Sequence, residues 1–441
     1  MRAMKEYAKQ KEYGMKQYRE MNASELSLLR NELREELSRY RALGLTLNMT
    51  RGVPSDEQLA LCNELLTCLS ADDYVAANGT DCRNYGGIDG IPEMKQIFAD
   101  LLGLTSEEVI VGGNSSLALM FDNVASNMSH GVRDGIPWQR QGQIKFLCPV
   151  PGYDRHFTIC NYFHIEMIPI ALGDNGPDMD AIEQAVSSDP LIKGIWCVPK
   201  YSNPTGIVYS DETVRRFSTL KPAAKDFRIY WDNAYCIHDL SATHRAIPNI
   251  IQLCEEAGNP HMPLVFTSFS KVSFAGASVT CMASSASNCD FIRKRLTAQT
   301  IGPDKLNQLR HVRYFKNAAG VLAHMEKHAA ILKPKFQLVS DTLRNSLGGL
   351  GICEWTEPEG GYFVSVNALE GCAKKIVSLC SEAGVALTPA GATYPNGNDP
   401  QDRNIRIAPT CPPLQDLSEA LAVFCVAVKL ASVEKLLENT V

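Results

Sequence analysis

PLVFTSFSKVSFAGA, residues 263–277, changes character at its middle. Pro263 to Phe266 is a short apolar run bounded by small polar residues, the pattern of a buried strand. It leads through Ser268 and Ser270 to Lys271 and then into a Gly/Ala-rich segment. A lysine just past the carboxyl end of a strand, between small hydroxyl residues, can act as an amine nucleophile beside a bound phosphate. Alone, the stretch reads more readily as a surface lysine that ends a strand, so its meaning depends on the other segments.

Those segments repeat the theme. Val109 to Val111, Ile144 to Cys148, Ile192 to Val198, Phe227 to Trp231 and Leu264 to Thr267 read as strands separated by helical stretches. The alternation predicts an α/β fold with a mainly parallel sheet and helices on both faces. In such sheets ligands sit outside the carboxyl ends of the strands. Ser115, Tyr153, Asn203, Asp232, Tyr235 and Lys271 all fall just past predicted strand ends. Gly112-Gly113-Asn114-Ser115-Ser116 opens a helix whose free N–H groups can cradle an anion. It matches neither a dinucleotide fingerprint nor a Walker loop.

Outside this unit, the leucines from Leu26 to Leu37 recur at helical spacing behind cap candidates at Asn22-Ala23-Ser24-Glu25, with Gly44 as the stop. Residues 1 to about 20 read as a solvated helix or frayed arm. A helix is predicted from Ile91, with Pro92 in an early position. Beyond Leu332 the expected elements are a helix from Pro334 to Leu347, short β runs, and a last helix from Leu414. The predicted organisation is an N-terminal helical arm over 1–68, a large domain over 69–331 and a smaller α+β domain over 332–441.

The 441 residues include 21% charged and 45% hydrophobic residues, as in an ordinary soluble protein. The formal net charge of −6 leaves no footprint for nucleic acid or an anionic membrane. The fifteen cysteines are scattered, never C-x-x-C, and suggest neither a zinc site nor a redox pair. No metal is expected. The polar N-terminus has no signal-peptide core. These features point to a cytoplasmic protein with reduced thiols.

The strand-end residues have a chemical logic. A lysine can form a Schiff base with an aldehyde, an ionised aspartate can pair with a protonated ring nitrogen, and tyrosine and asparagine can bond a ring oxygen. An aromatic at Tyr153 can stack on the ring, and an arginine can hold a carboxylate at two points. Together these groups describe a site for pyridoxal phosphate.

The strings YSNPTG (201–206), WDNAY (231–235), SFSK (268–271) and NIRIAP (404–409) together resemble the fold-type I aminotransferases. RNYGGIDGIPE, VGGNSSLALM, CPVPGYDRHF, IGPDKLNQLRH, PEGGYF and LTPAGATYPNG are most similar to the bacterial class 1c aspartate aminotransferase subgroup, and the likeness runs from about residue 45 onward. The resemblance implies the fold of that family, with a large domain built on a seven-stranded-type sheet, and a homodimer with shared active sites. It implies that Lys271 forms the internal aldimine and shuttles the proton, that Asp232 pairs with the pyridinium nitrogen, that Tyr235 and Asn203 contact the ring oxygen, and that Tyr153 stacks. Ser115, Ser116, Ser268 and Ser270 are implied as phosphate ligands, and Tyr85 as reaching the neighbouring subunit's phosphate. Arg406 is implied for the substrate α-carboxylate, with Gly52 and Arg51 nearby.

One departure stands out. Many fold-type I enzymes carry an arginine eight residues past the lysine, where this chain has Val279. Lys305 is a candidate replacement. Arg51, Lys305, Arg310 and Arg313 are candidates for a substrate side-chain carboxylate. The expected activity is ping-pong transamination between aspartate or glutamate and 2-oxoglutarate. The alternatives are β-elimination or decarboxylation with the same cofactor, or a cofactor-binding regulatory module.

Overall fold

The structure, a computed structural model, describes residues 17–133, 135–241 and 244–439. Most of the arm expected over residues 1 to about 20 therefore lies outside the described residues. The helix Ala23–Ala42 begins where the cap residues predict. Asn22 accepts the N–H groups of Ser24 and Glu25, and Glu25 returns a bond to the Asn22 N–H. This reciprocal box satisfies donors the helix itself cannot.

The large sheet is ordered Val109–Val111, Thr280–Ala283, Pro263–Ser268, Arg228–Asp232, Ile192–Cys197, Lys145–Val150, Glu166–Gly173 and Gly176–Pro177. Setting aside the two-residue edge strand Gly176–Pro177, seven strands remain. The five from Pro263–Ser268 to Glu166–Gly173 are mutually parallel, and Thr280–Ala283 runs antiparallel to both its neighbours. The central strands are buried along their whole length, as a sheet covered on both faces requires. Sequence periodicity missed Thr280–Ala283 and Glu166–Gly173. The first is a four-residue strand without alternation. The second carries a proline and alternates poorly.

A second body forms from both ends of the chain. Leu47–Asn48 pairs in parallel with Val385–Ala386, and Cys353–Trp355, Val364–Ala368 and Asn404–Ile407 form an antiparallel sheet. The Ala23–Ala42 helix packs on the last helix, Leu414–Glu438, where Arg34 meets Glu434 at 2.6 Å. Ala318–Leu347 is one continuous helix with Pro334 inside it, so Pro334 does not start the helix. Val321 and Met325 at its beginning belong to the apolar core under the sheet. Leu332, Phe336 and Val339 belong to the core of the second body. Among the described residues no helix is long and apolar enough to cross a membrane.

Candidate active site

Adjacent parallel strands place the site. Asp232 ends one strand and Ser268 ends its neighbour, so the loops carrying Tyr235 and Lys271 emerge side by side. The Lys271 amine lies 5.0 Å from the centre of the Tyr235 ring and 5.8 Å from that of Tyr362. Removal from water lowers its pKa from the ordinary lysine value, and Asp232 partly opposes this. The amine is thereby brought closer to a free base at neutral pH.

Asp232 is buried, and its two oxygens differ. Oδ2 lies 3.0 Å from His156 Nε2, and His156 stacks on Trp196 at 4.4 Å with planes 9° apart. Oδ1 is buried with no partner among the described residues. An orphaned carboxylate oxygen is costly unless a donor arrives. A protonated ring nitrogen is such a donor. Tyr153 stands edge-on to His156 at 5.0 Å, and burial pushes its phenol up to about 12. Burial also raises the Tyr235 phenol well above its ordinary value.

The turn Gly112–Ser115 lies against the strand that follows the lysine loop. Gly112 N–H donates to Thr280 O at 2.8 Å, Thr280 Oγ1 donates to Gly113 O at 2.9 Å, and Asn114 Nδ2 donates to Gly276 O at 3.1 Å. A side chain at Gly112 would meet the end of the Leu119 side chain at 2.8 Å and Thr280 Oγ1 at 3.0 Å, so the turn packs closely there. Ser115 caps the Ser116–His130 helix by accepting Ala118 N–H, which leaves its own O–H to donate elsewhere. Ser268 and Ser270 are linked hydroxyl to hydroxyl at 3.1 Å.

Arg406 arrives from the second body on the strand Asn404–Ile407. It is buried; Nη1 donates to Asn203 Oδ1 at 3.1 Å and faces Asp154 Oδ1 at 3.3 Å, while Nη2 donates to Thr388 Oγ1 at 3.2 Å. Its guanidinium sits 4.8 Å from the centre of the Phe363 ring. Gly52 packs flush on Phe363, where a Cβ would stand 2.5 Å from Cζ. Because Asn203 Oδ1 serves Arg406, its Nδ2 is the atom left to donate toward a ring oxygen.

Val279 is buried beside the lysine loop, so no cation stands there. Lys305 is also buried and donates to Gly86 O at 2.8 Å. Arg313 makes a two-point ion pair with Asp73, and Arg310 Nε donates to Asn307 Oδ1 at 2.7 Å. Arg51 is exposed and has no side-chain partner among the described residues. Tyr85 is 81% exposed, well placed for contact with another molecule. Sequence reasoning passed over His156, Asp154, Thr388, Phe363 and Tyr362. His156, three residues past Tyr153, was within reach because one helical turn brings it back to the same face. Thr388 and Phe363 carry no chemical signature of their own.

The lysine, the aspartate with one free oxygen, the glycine turn with its hydroxyls and the buried arginine fit pyridoxal phosphate, the cofactor used by aminotransferases of this fold type. Residues 21–440 match the family model described as Aspartate amino-transferase. A protein of Mycolicibacterium smegmatis named as an aminotransferase is 48% identical over 414 residues, spanning 93% of this chain and 97% of that one. The aspartate aminotransferase of Corynebacterium glutamicum is 43% identical over 416 residues, spanning 94% and 96%. The crystal structure of an aspartate transaminase from Corynebacterium glutamicum superposes with a TM-score of 0.94 at 42% identity, covering 96% of this chain and all of that one.

Proposed function

The chain belongs to the aspartate amino-transferase family, and from that premise we propose that it moves an amino group between a dicarboxylic amino acid, aspartate or glutamate, and 2-oxoglutarate by a ping-pong course. The observation that carries this reading is the convergence of Lys271, Asp232 with its unpartnered Oδ1, and Arg406 from three separate elements.

When bound, pyridoxal phosphate supplies an aldehyde and an electron-withdrawing ring. Lys271, Asp232, Tyr235, Asn203 and Tyr153 hold its ring end. The Gly112–Ser116 turn, Ser268 and Ser270 hold its phosphate through N–H and O–H donors at a helix N-terminus. Asp232 keeps a proton on the facing nitrogen through Oδ1, while His156 fixes the carboxylate through Oδ2. Arg406 grips the substrate α-carboxylate and sets the direction of its Cα–H bond. Lys271 Nζ takes that proton from Cα and would hand it to the carbon of the bound aldehyde, a transfer suited to an amine whose proton affinity is lowered.

Arg51 is the cation assigned to the substrate's side-chain carboxylate. Arg313, Lys305 and Arg310 are engaged in other contacts, and Arg51 directly precedes the glycine that packs on Phe363, beside Arg406. A dimer of cytoplasmic location completes the reading, with exposed Tyr85, Leu66 and Ile301 as apolar contact points.

The test is Lys271→Ala. It should abolish both the visible absorbance of the cofactor-loaded protein and nearly all turnover. Full transaminase activity in that variant would sink the assignment. In parallel, an amino-donor panel with 2-oxoglutarate should rank aspartate or glutamate above aromatic and branched donors.

A further inference from the structure

Tyr362 flanks the Lys271 amine and stacks on Tyr235, ring centres 6.0 Å apart and planes at 27°. Its hydroxyl is held from behind. Gln58, on the short helix Asp56–Ala60 of the N-terminal segment, donates from Nε2 to Tyr362 Oη at 2.9 Å. Gln58 Oε1 accepts Ser55 N–H at 3.1 Å, which fixes which end of the amide is nitrogen. The second Nε2 hydrogen therefore goes to His328 Nδ1, also 2.9 Å away. His328 then carries its own proton on Nε2, 3.0 Å from His324 Nε2. His324 Nε2, which accepts that proton, has none left for the carbonyl of Val272, 3.0 Å away, so the hydrogen-bonded run ends at His324, packed against the main chain that follows Lys271.

We propose that Tyr362 is a positioning residue for Lys271, pinned against the amine by Gln58 and His328. The role rests on Lys271 being the reacting amine. Three features support it. Gly360 and Gly361 let the segment lie flat on Tyr201, where added Cβ atoms would stand 2.2 and 2.7 Å from Tyr201 side-chain atoms, so the approach of Tyr362 is built into the backbone. Gln58, His328 and Tyr362 are buried, so a broken network leaves unpaired polar atoms. His238, also buried, stands edge-on to both tyrosines and closes the remaining side.

Around the amine stand Asp232 and Tyr235 from one strand end, His238 just beyond them, and Tyr362, with His328 and His324 of the long helix in the layer behind Gln58. Burial lowers the proton affinity of His238 and His324, and holds His328 down to about 4. Asp232 opposes the loss of the amine's proton, and the aromatic faces supply further attraction for its ammonium form. A ring that swings away removes that attraction and the alignment together.

The test uses the cofactor-free protein. Labelling of Lys271 by trinitrobenzenesulfonate is followed against pH by peptide mass spectrometry. Gln58→Ala should lower the Lys271 midpoint by about half to one and a half pH units. Tyr362→Phe, which removes only the pinned hydroxyl, should match it, and Tyr362→Leu should shift at least as far. Adding Gln58→Ala to Tyr362→Leu should change nothing more, because both act through one ring. In the loaded enzyme Gln58→Ala should cut kcat about tenfold, with KM for the donor within about twofold. An unmoved Lys271 midpoint in a folded Gln58→Ala or Tyr362→Phe protein overturns the proposal. So does a loss confined to KM. A chain whose midpoint shifts but which never transaminates would overturn the functional reading and leave this one standing.

Discussion

The two ends of the site proposed to hold anions are built on opposite principles. The clamp around Arg406 is a buried guanidinium whose arms are occupied by Asn203, Thr388 and Asp154. The turn from Gly112 to Ser116 has main-chain N–H groups, hydroxyls and a helix end, and Val279 fills the position where a cation is usual in the resembling enzymes. A full charge in a low-dielectric setting acts strongly, and a substrate carboxylate that comes and goes in each cycle needs it. A ligand that stays can be held by many weaker donors, each worth about 1 kcal/mol. On the proposed reading, the difference would separate a clamp for turnover from a cradle for retention.

The largest expected effect breaks the clamp. Arg406→Leu should lower kcat/KM for the amino donor about a thousandfold, near 4 kcal/mol, because it deletes a buried charged partner. Cofactor affinity, measured by absorbance titration, should barely move. Equal loss at both ends would erase the distinction.

Next comes an attempt to make the cradle resemble the clamp. Val279→Arg places a guanidinium at a buried apolar position and should cost about 3 kcal/mol of stability, read as a lower Tm. A gain in Tm and in cofactor affinity would mean that the cradle has room for a cation after all.

Arg51→Ala sharpens the clamp. Activity toward aspartate should fall about tenfold relative to alanine as donor, the size expected for one hydrogen bond to a charged group, with kcat little changed. An equal loss for both donors would move the side-chain contact elsewhere.

The smallest effect belongs to the cradle. Ser268→Ala should weaken cofactor binding about fivefold, roughly 1 kcal/mol, and leave kcat at saturating cofactor intact. A hundredfold loss would mean that few donors, not many, carry the phosphate end.

Much of the fold and site was legible because strands and their ends have local signals. Asp232 and Lys271 stand at the ends of short apolar runs, and such runs are visible from composition alone. The Asn22 cap was readable for the same reason, since capping is a property of four consecutive residues. The antiparallel strand Thr280–Ala283 was not legible, because four residues without alternation carry no periodic signal. Pro334 misled because a proline inside a long helix has the same sequence signature as one at a helix start. Thr388 and Gln58 could not be found in advance: each matters through a partner outside its own element, Arg406 and Tyr362.

By itself, then, the sequence determined the chemistry at the strand ends: an amine, a carboxylate, a glycine turn with hydroxyls and a late arginine, each marked by its local neighbours. Tertiary structure alone decided which oxygen of Asp232 is free, which cations are already engaged, and that Tyr362 is held from behind by Gln58. The physical reason is range. Strand, turn and cap preferences act over a few residues, whereas hydrogen-bond satisfaction and burial are settled only when distant segments meet.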